Sequence, residues 1–146
     1  MLPRPYDPTM RLAAAAVVAL ALAGTASASV IVSFRTPSGN IGCYYSSGLG
    51  PRADLRCDIR SGLKPLPRKP GSCDLDWGDS YDMGPTGTVH LVCHGDTAIN
   101  PKARVLRYGG KWTRGGFTCA SKTEGLRCTN RSGHGFFLSR AHSYRF

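Results

Sequence analysis

Along this chain apolar and polar residues alternate over short stretches, and no helical period is sustained. Leu55, Cys57 and Ile59 fall on one side of an extended segment, and Arg56, Asp58 and Arg60 on the other. Val89, Leu91 and Cys93 alternate in the same way with His90, Val92 and His94. Residues 30–35, 40–45, 104–108, 117–121 and 134–139 read as further strands. Glycine and proline recur between them at short intervals, and both interrupt helices and mark turns. Thr36-Pro37-Ser38-Gly39 suits a tight turn, because proline pre-sets its own φ. About eight short strands joined by turns predict an all-β fold, an antiparallel sandwich or small barrel.

The first 28 residues follow another pattern. Leu12 to Ala23 is an unbroken apolar run of 12 residues, preceded by Arg11 and followed by Ala26-Ser27-Ala28. A helix needs about 20 residues to cross a bilayer, so this run is too short to span one. A basic residue, a short apolar run and a small-x-small site together describe a signal peptide. Met10 stands directly before this segment, so residues 1–9 read as a start-site artefact. Removal of residues 1–28 leaves residues 29–146 as a single secreted domain. It is placed outside the cytoplasm, released or held at the cell envelope, with no transmembrane span in the mature form.

All six cysteines, Cys43, Cys57, Cys73, Cys93, Cys119 and Cys128, lie in that domain. An even count in a short exported chain predicts three disulfides and leaves no thiol over for catalysis. Spacing alone cannot choose among the pairings that six cysteines allow. An internal echo can. Leu55-Arg56-Cys57-Asp58-Ile59-Arg60-Ser61-Gly62 matches Leu126-Arg127-Cys128-Thr129-Asn130-Arg131-Ser132-Gly133 at six of eight positions, and each copy follows another cysteine. Two similar hairpins, each closed by its own bridge, predict Cys43–Cys57 and Cys119–Cys128, which leaves Cys73–Cys93.

Phe34-Arg35-Thr36-Pro37-Ser38-Gly39-Asn40-Ile41-Gly42-Cys43 resembles the opening signature of an uncharacterised family of exported bacterial proteins common in actinobacteria. Leu55-Arg56-Cys57, Trp77-Gly78, Asp96-Thr97, Tyr108-Gly109 and the closing Gly133-His134-Gly135-Phe136 are similar to that family too. The resemblance implies one exported domain. It implies no activity and no site residue.

Nineteen Lys and Arg against nine acidic residues give a net charge of +10, and +9 once residues 1–28 are removed. Such a charge favours encounter with anionic surfaces. For an exported domain the expected partner is an anionic envelope component or an extracellular protein, and not genomic nucleic acid. The densest basic stretch contributes Arg56, Arg60, Lys64, Arg68 and Lys69 as candidate ligand contacts, partly on a proline-rich loop.

Asp74, Asp76, Asp79 and Asp82 offer carboxylates in a short segment, but their spacing departs from a calcium loop and they read as partners for arginine. His90 and His94 would lie about 13 Å apart on a strand, too far to share one ion. No metal or cofactor site is therefore expected. His134 and Asp96, each beside glycine, form the one pair that a hydrolase could use as base and orienting group, with Ser132 or water as nucleophile. Trp77, Tyr108, Trp112, Phe117 and Phe136 read as core aromatics before they read as a ligand surface. The leading expectation is a non-enzymatic binding or envelope-associated domain. The alternatives are a small secreted hydrolase using His134 and Asp96, and an enzyme-inhibitor module presenting residues 64–72.

Overall fold

The computed structural model describes residues 1–2 and 28–146, so the expected leader lies almost wholly outside the described residues. Eleven strands run in chain order: β1 Val30–Arg35, β2 Ile41–Ser47, β3 Asp54–Ile59, β4 Ser80–Met83, β5 Val89–Leu91, β6 Arg104–Val105, β7 Lys111–Arg114, β8 Phe117–Lys122, β9 Gly125–Thr129, β10 Gly135–Leu138 and β11 Ser143–Arg145. They form a six-stranded sheet in the order β5-β4-β3-β2-β1-β6 and a five-stranded sheet in the order β11-β10-β9-β8-β7. Every pairing is antiparallel except β1 with β6. The fold is all-β, as the alternation predicts. Its strand count exceeds eight because β4, β7 and β11 are too short to show a period. The stretch expected over 104–108 pairs only at Arg104 and Val105; Leu106 then donates to the Arg35 carbonyl and the chain turns away.

The inner faces of the two sheets close one core. Phe34, Tyr45, Leu55, Ile59 and Met83 from the first sheet meet Phe117, Leu126, Phe136 and Leu138 from the second. Aromatic pairs cross the gap, Tyr45 to Phe117 at 6.0 Å between ring centroids and Tyr81 to Phe136 at 5.6 Å. Burying each such side chain contributes about 1.5–3 kcal/mol.

Cys43–Cys57 and Cys119–Cys128 are buried at the centre of this core. Each joins residues directly opposite one another, on β2 and β3 and on β8 and β9, with Cα atoms 4.1 and 4.0 Å apart. Cys73–Cys93 ties the long β3–β4 connection to the segment after β5. These are the pairs that the echo suggests. Its two copies lie on β3 and β9, the second strands of two equivalent hairpins.

On β3 the residues facing away from the core are buried as well. Arg56 and Asp58 side chains are 6% and 1% exposed. Arg56 Nε and Nη2 donate to the two Asp58 oxygens at 2.9 and 3.0 Å, and Nη1 donates to Asp96 Oδ1 at 2.8 Å. Asp58 also accepts from the Ser80 hydroxyl at 2.6 Å, the Thr97 hydroxyl at 3.2 Å and the Ala98 amide at 2.7 Å. The segment around residues 96–99 is thus drawn down onto the sheet. Gly42 permits the contact, since a Cβ there would fall 2.6 Å from the Ile99 Cα. Burial by itself would lower the Arg56 pKa, but hydrogen bonds and charge from Asp58 and Asp96 hold it above its ordinary value.

Removing one partner of a buried pair costs about 3–5 kcal/mol, because the other charge remains buried. Asp58→Ala is therefore expected to lower unfolding stability by about that amount. Asp96→Ala, at the exposed end of the network, should cost under about 1 kcal/mol. Urea unfolding of the oxidised protein measures both, and equal losses would contradict this division.

Candidate functional site

The residues singled out in the sequence separate in space. Asp96 is 74% exposed at its side chain and engages Arg56. Its backbone carbonyl lies 2.6 Å from His94 Nδ1, and His94 Nε2 lies 2.8 Å from Asp79 Oδ1. His134 stands just before β10 in the other sheet, with Nδ1 3.3 Å from the Phe146 carbonyl. Ser132 donates to Asn130 Oδ1 at 2.9 Å and accepts from the Gly87 amide at 2.9 Å. Asp96 and His134 share no hydrogen bond among the described residues, and Asp96 lines a groove that does not include His134. The basic stretch divides too: Arg56 is buried in its ion pairs, while Arg60, Lys64, Arg68 and Lys69 are exposed. Asp74 and Asp76 are exposed and Asp79 holds His94, so these carboxylates do not converge. Phe117 and Phe136 are core residues, Trp112 packs beside the core, and Tyr108 is exposed.

Two surfaces present side chains in register. On the outer face of the six-stranded sheet, Tyr44, Arg56, Asp82 and His90 stand opposite one another across β2 to β5. A groove of about 520 Å³ beside this row is lined by Tyr44, Asp54, Asp96 and the exposed Ile31 and Leu49. Asp82 Oδ1 is buried without a hydrogen-bond partner. Burial raises the Asp82 pKa, Asp54 adds to the rise, and His90, Arg52 and Arg56 oppose it. Asp96 shifts the other way, because the hydrogen bond and charge of Arg56 favour its carboxylate.

The outer face of the five-stranded sheet is built differently. Lys111, Ala120, Arg127, Phe137 and Tyr144 form one row across β7 to β11, and Thr113, Thr118 and Thr129 form the next. Phe137, His142 and Tyr144 have ring planes within 26° of parallel and centroids 5.2, 5.3 and 6.0 Å apart. Three similar separations describe a triangular patch; in a column the outer pair would be about 10 Å apart. Glycines make the room. A Cβ on Gly125 would lie 2.5 Å from Phe137 Cζ, and one on Gly135 would lie 2.7 Å from Phe146 Cζ. The Arg127 guanidinium rests on Phe146, 3.7 Å from the ring centroid. Where this sheet ends, a cleft of about 320 Å³ collects Ser38 and Asn40 of the β1–β2 turn with Lys122, Gly125 and Arg140.

Charge divides between the two halves of the chain. Residues 29–96 hold seven basic and seven acidic residues; residues 97–146 hold ten basic residues and a single acidic one, Glu124. The whole net charge of the domain therefore lies in the half that builds β6 to β11. The ion pairs among the described residues all involve Arg56 or His94, so none of those ten cations has an internal counter-ion there. Sequence reading overlooked this surface. The alternation of Phe136 inward with Phe137 outward, and the acid-poor second half, were its available signals.

Residues 14–146 match a family of unknown function (DUF6636), and the chain belongs to that family. The match agrees with the expectation of an uncharacterised domain family. No curated protein and no solved structure matches the chain.

The two perturbed carboxylates give opposite pH dependences. A raised carboxyl pKa means that the folded state holds the proton more tightly, so Asp82 weakens the fold as pH rises from about 4 through its raised value. The depressed pKa of Asp96 contributes stability above about pH 4 that is lost as pH falls through its folded value. Asp82→Asn should therefore stabilise the protein at neutral pH, and its advantage should vanish below about pH 4, where the parent side chain is protonated. Denaturant unfolding at both pH values checks this; an advantage independent of pH would contradict it.

Proposed function

We propose that this family member is an exported, non-enzymatic bacterial domain that binds an anionic polymer of the cell envelope through the open face of its five-stranded sheet. The mature form is residues 29–146, released by cleavage after Ala28. Three disulfides fit an oxidising compartment outside the cytoplasm.

The observation that carries this reading is the segregation of charge. Cations spread for solubility alone would be interspersed with acids over both sheets. Here the first half is neutral and the second carries ten cations against Glu124, with Lys111, Lys122 and Arg127 standing on the outer face itself. Clustered like charge repels itself, and an anionic ligand relieves that repulsion. The exposed Arg60, Lys64, Arg68 and Lys69 belong to the neutral half and contribute less to the attraction. Asp96 is held by Arg56 and His134 by the carboxy-terminal backbone, so neither supports the hydrolase reading.

Binding of a polyanion such as polyphosphate is expected to weaken at least about tenfold as ionic strength rises from roughly 0.05 M to 0.3 M, because exposed charges are screened. Lys111→Glu with Lys122→Glu should weaken it strongly at low salt, whereas Arg68→Glu with Lys69→Glu should change it little. Fluorescence anisotropy with a labelled polymer measures all three. Salt-independent binding, or a larger loss from the Arg68 and Lys69 pair, would overturn the reading.

A further inference from the structure

The internal echo offers a comparison within the molecule. Arg56 and Arg127 occupy the same place in the two copies, on the outward side of a strand whose neighbouring cysteine is bridged to the preceding strand. The copies differ at two positions only, Asp58 against Thr129 and Ile59 against Asn130. The first difference removes the carboxylate that Arg56 grips with two N–H groups. No segment covers the second copy either, and Arg127 is exposed. Arg127 is nevertheless held in place, its guanidinium carbon over the Phe146 ring at 3.7 Å from the centroid. A planar guanidinium stacked on a ring keeps its N–H donors at its edge and remains oriented for a carboxylate.

Resting on the reading above, we infer that this face recognises an acidic polysaccharide, a chain of pyranose rings bearing carboxylates. Arg127 takes a ligand carboxylate in the way Arg56 takes Asp58. A neighbouring sugar ring lies against the exposed His142 and Tyr144, whose rings are within 6° of parallel and stack on Phe137, Tyr144 being 45% exposed. The hydroxyls of Thr113, Thr118 and Thr129 in the adjoining row supply neutral hydrogen-bonding groups suited to sugar hydroxyls. A polymer carrying charge without rings would use the cations and leave the patch bare. A single-stranded nucleic acid also offers rings and anions. The internal copy nonetheless shows this arginine geometry satisfied by a carboxylate, and the threonine row favours a hydroxyl-rich ligand.

The test titrates the disulfide-intact protein with polygalacturonate, with the same polymer after reduction of its carboxyls to alcohols, with polyphosphate and with a single-stranded oligonucleotide, at one salt concentration. At equal charge, polygalacturonate should bind more tightly than polyphosphate or the oligonucleotide, and the reduced polymer should bind weakest. Tyr144→Ala should weaken polygalacturonate roughly three- to tenfold, the effect of losing one stacked ring, and leave polyphosphate unchanged. Arg127→Lys keeps the charge but loses the stacked fork, and should weaken polygalacturonate about tenfold with little change for polyphosphate. Both side chains are exposed, and unfolding curves matching the parent will confirm that the fold is intact. Equal effects on the two polyanions, no effect on either, or preference for the oligonucleotide would overturn the inference while leaving polyanion binding standing. Failure of every polyanion to bind would remove both.

Discussion

A buried guanidinium governs the layout of this domain. Arg56 lies away from the hydrophobic core, yet water is excluded from it, and an isolated charge in that position would be far too costly to keep. Its environment answers with two Asp58 oxygens, the Ser80 hydroxyl and Asp96. Asp58 in turn draws in the Thr97 hydroxyl and the Ala98 amide, so the segment after Cys93 is fastened across the outer face of the sheet. His94, held between Asp79 and the Asp96 carbonyl, secures the same segment from its other side. One sheet of the sandwich is thereby covered on both faces along β2 and β3. The other keeps its outer face in solvent.

Much of this arrangement was legible in the residues, and the misses have physical causes. Alternation located β1, β2, β3, β5, β8 and β10, because their inward positions are apolar or cysteine. It overlooked β4, β7 and β11, where three or four residues give too few repeats to reveal a period, reached β9 only through the echo, and extended β5 and β6 beyond the residues that pair. The echo around Cys57 and Cys128 carried the disulfide scheme because an antiparallel hairpin sets partners directly opposite one another. Alternation also separated Arg56 and Asp58 from Leu55 and Cys57 correctly. It gave no hint that the polar side was buried too, since the covering segment lies forty residues away from Arg56 in sequence. For the same reason Arg56 read as a surface ligand contact. Whether a charged side chain meets solvent depends on tertiary contacts that local periodicity does not encode.

The candidate site was harder to see. Phe137, His142, Tyr144 and Phe146 are spread over the last ten residues, and only the turn between β10 and β11 brings their rings together. Gly125 and Gly135 read as strand-weakening residues in sequence. In the structure they are the low points over which Phe137 and Phe146 lie. The two changed positions of the echo were visible from the start, but their meaning depends on knowing that Asp58 is the internal partner of Arg56.

The two hairpins therefore solve one electrostatic problem in two ways. In the first, the arginine is neutralised within the chain by a neighbour two residues on and by a segment brought from a distance, and the result is structural. In the second, threonine replaces that neighbour, Glu124 three residues earlier makes no ion pair with the arginine, and an aromatic face steadies it. An exposed arginine needs no counter-ion to be stable, so the absence of one is not strain. What asks for explanation is the orientation. Stacking stabilises the pair modestly, costs the arginine rotamer freedom and fixes the direction of its donors. Orientation has value when something of fixed geometry is to be met. The flat rings beside Arg127 have the same property, since aromatic groups left partly in water are otherwise a liability on a small exported domain. Positioned charge and positioned rings on one uncovered sheet face describe a surface formed in advance for a ligand that is itself both charged and cyclic.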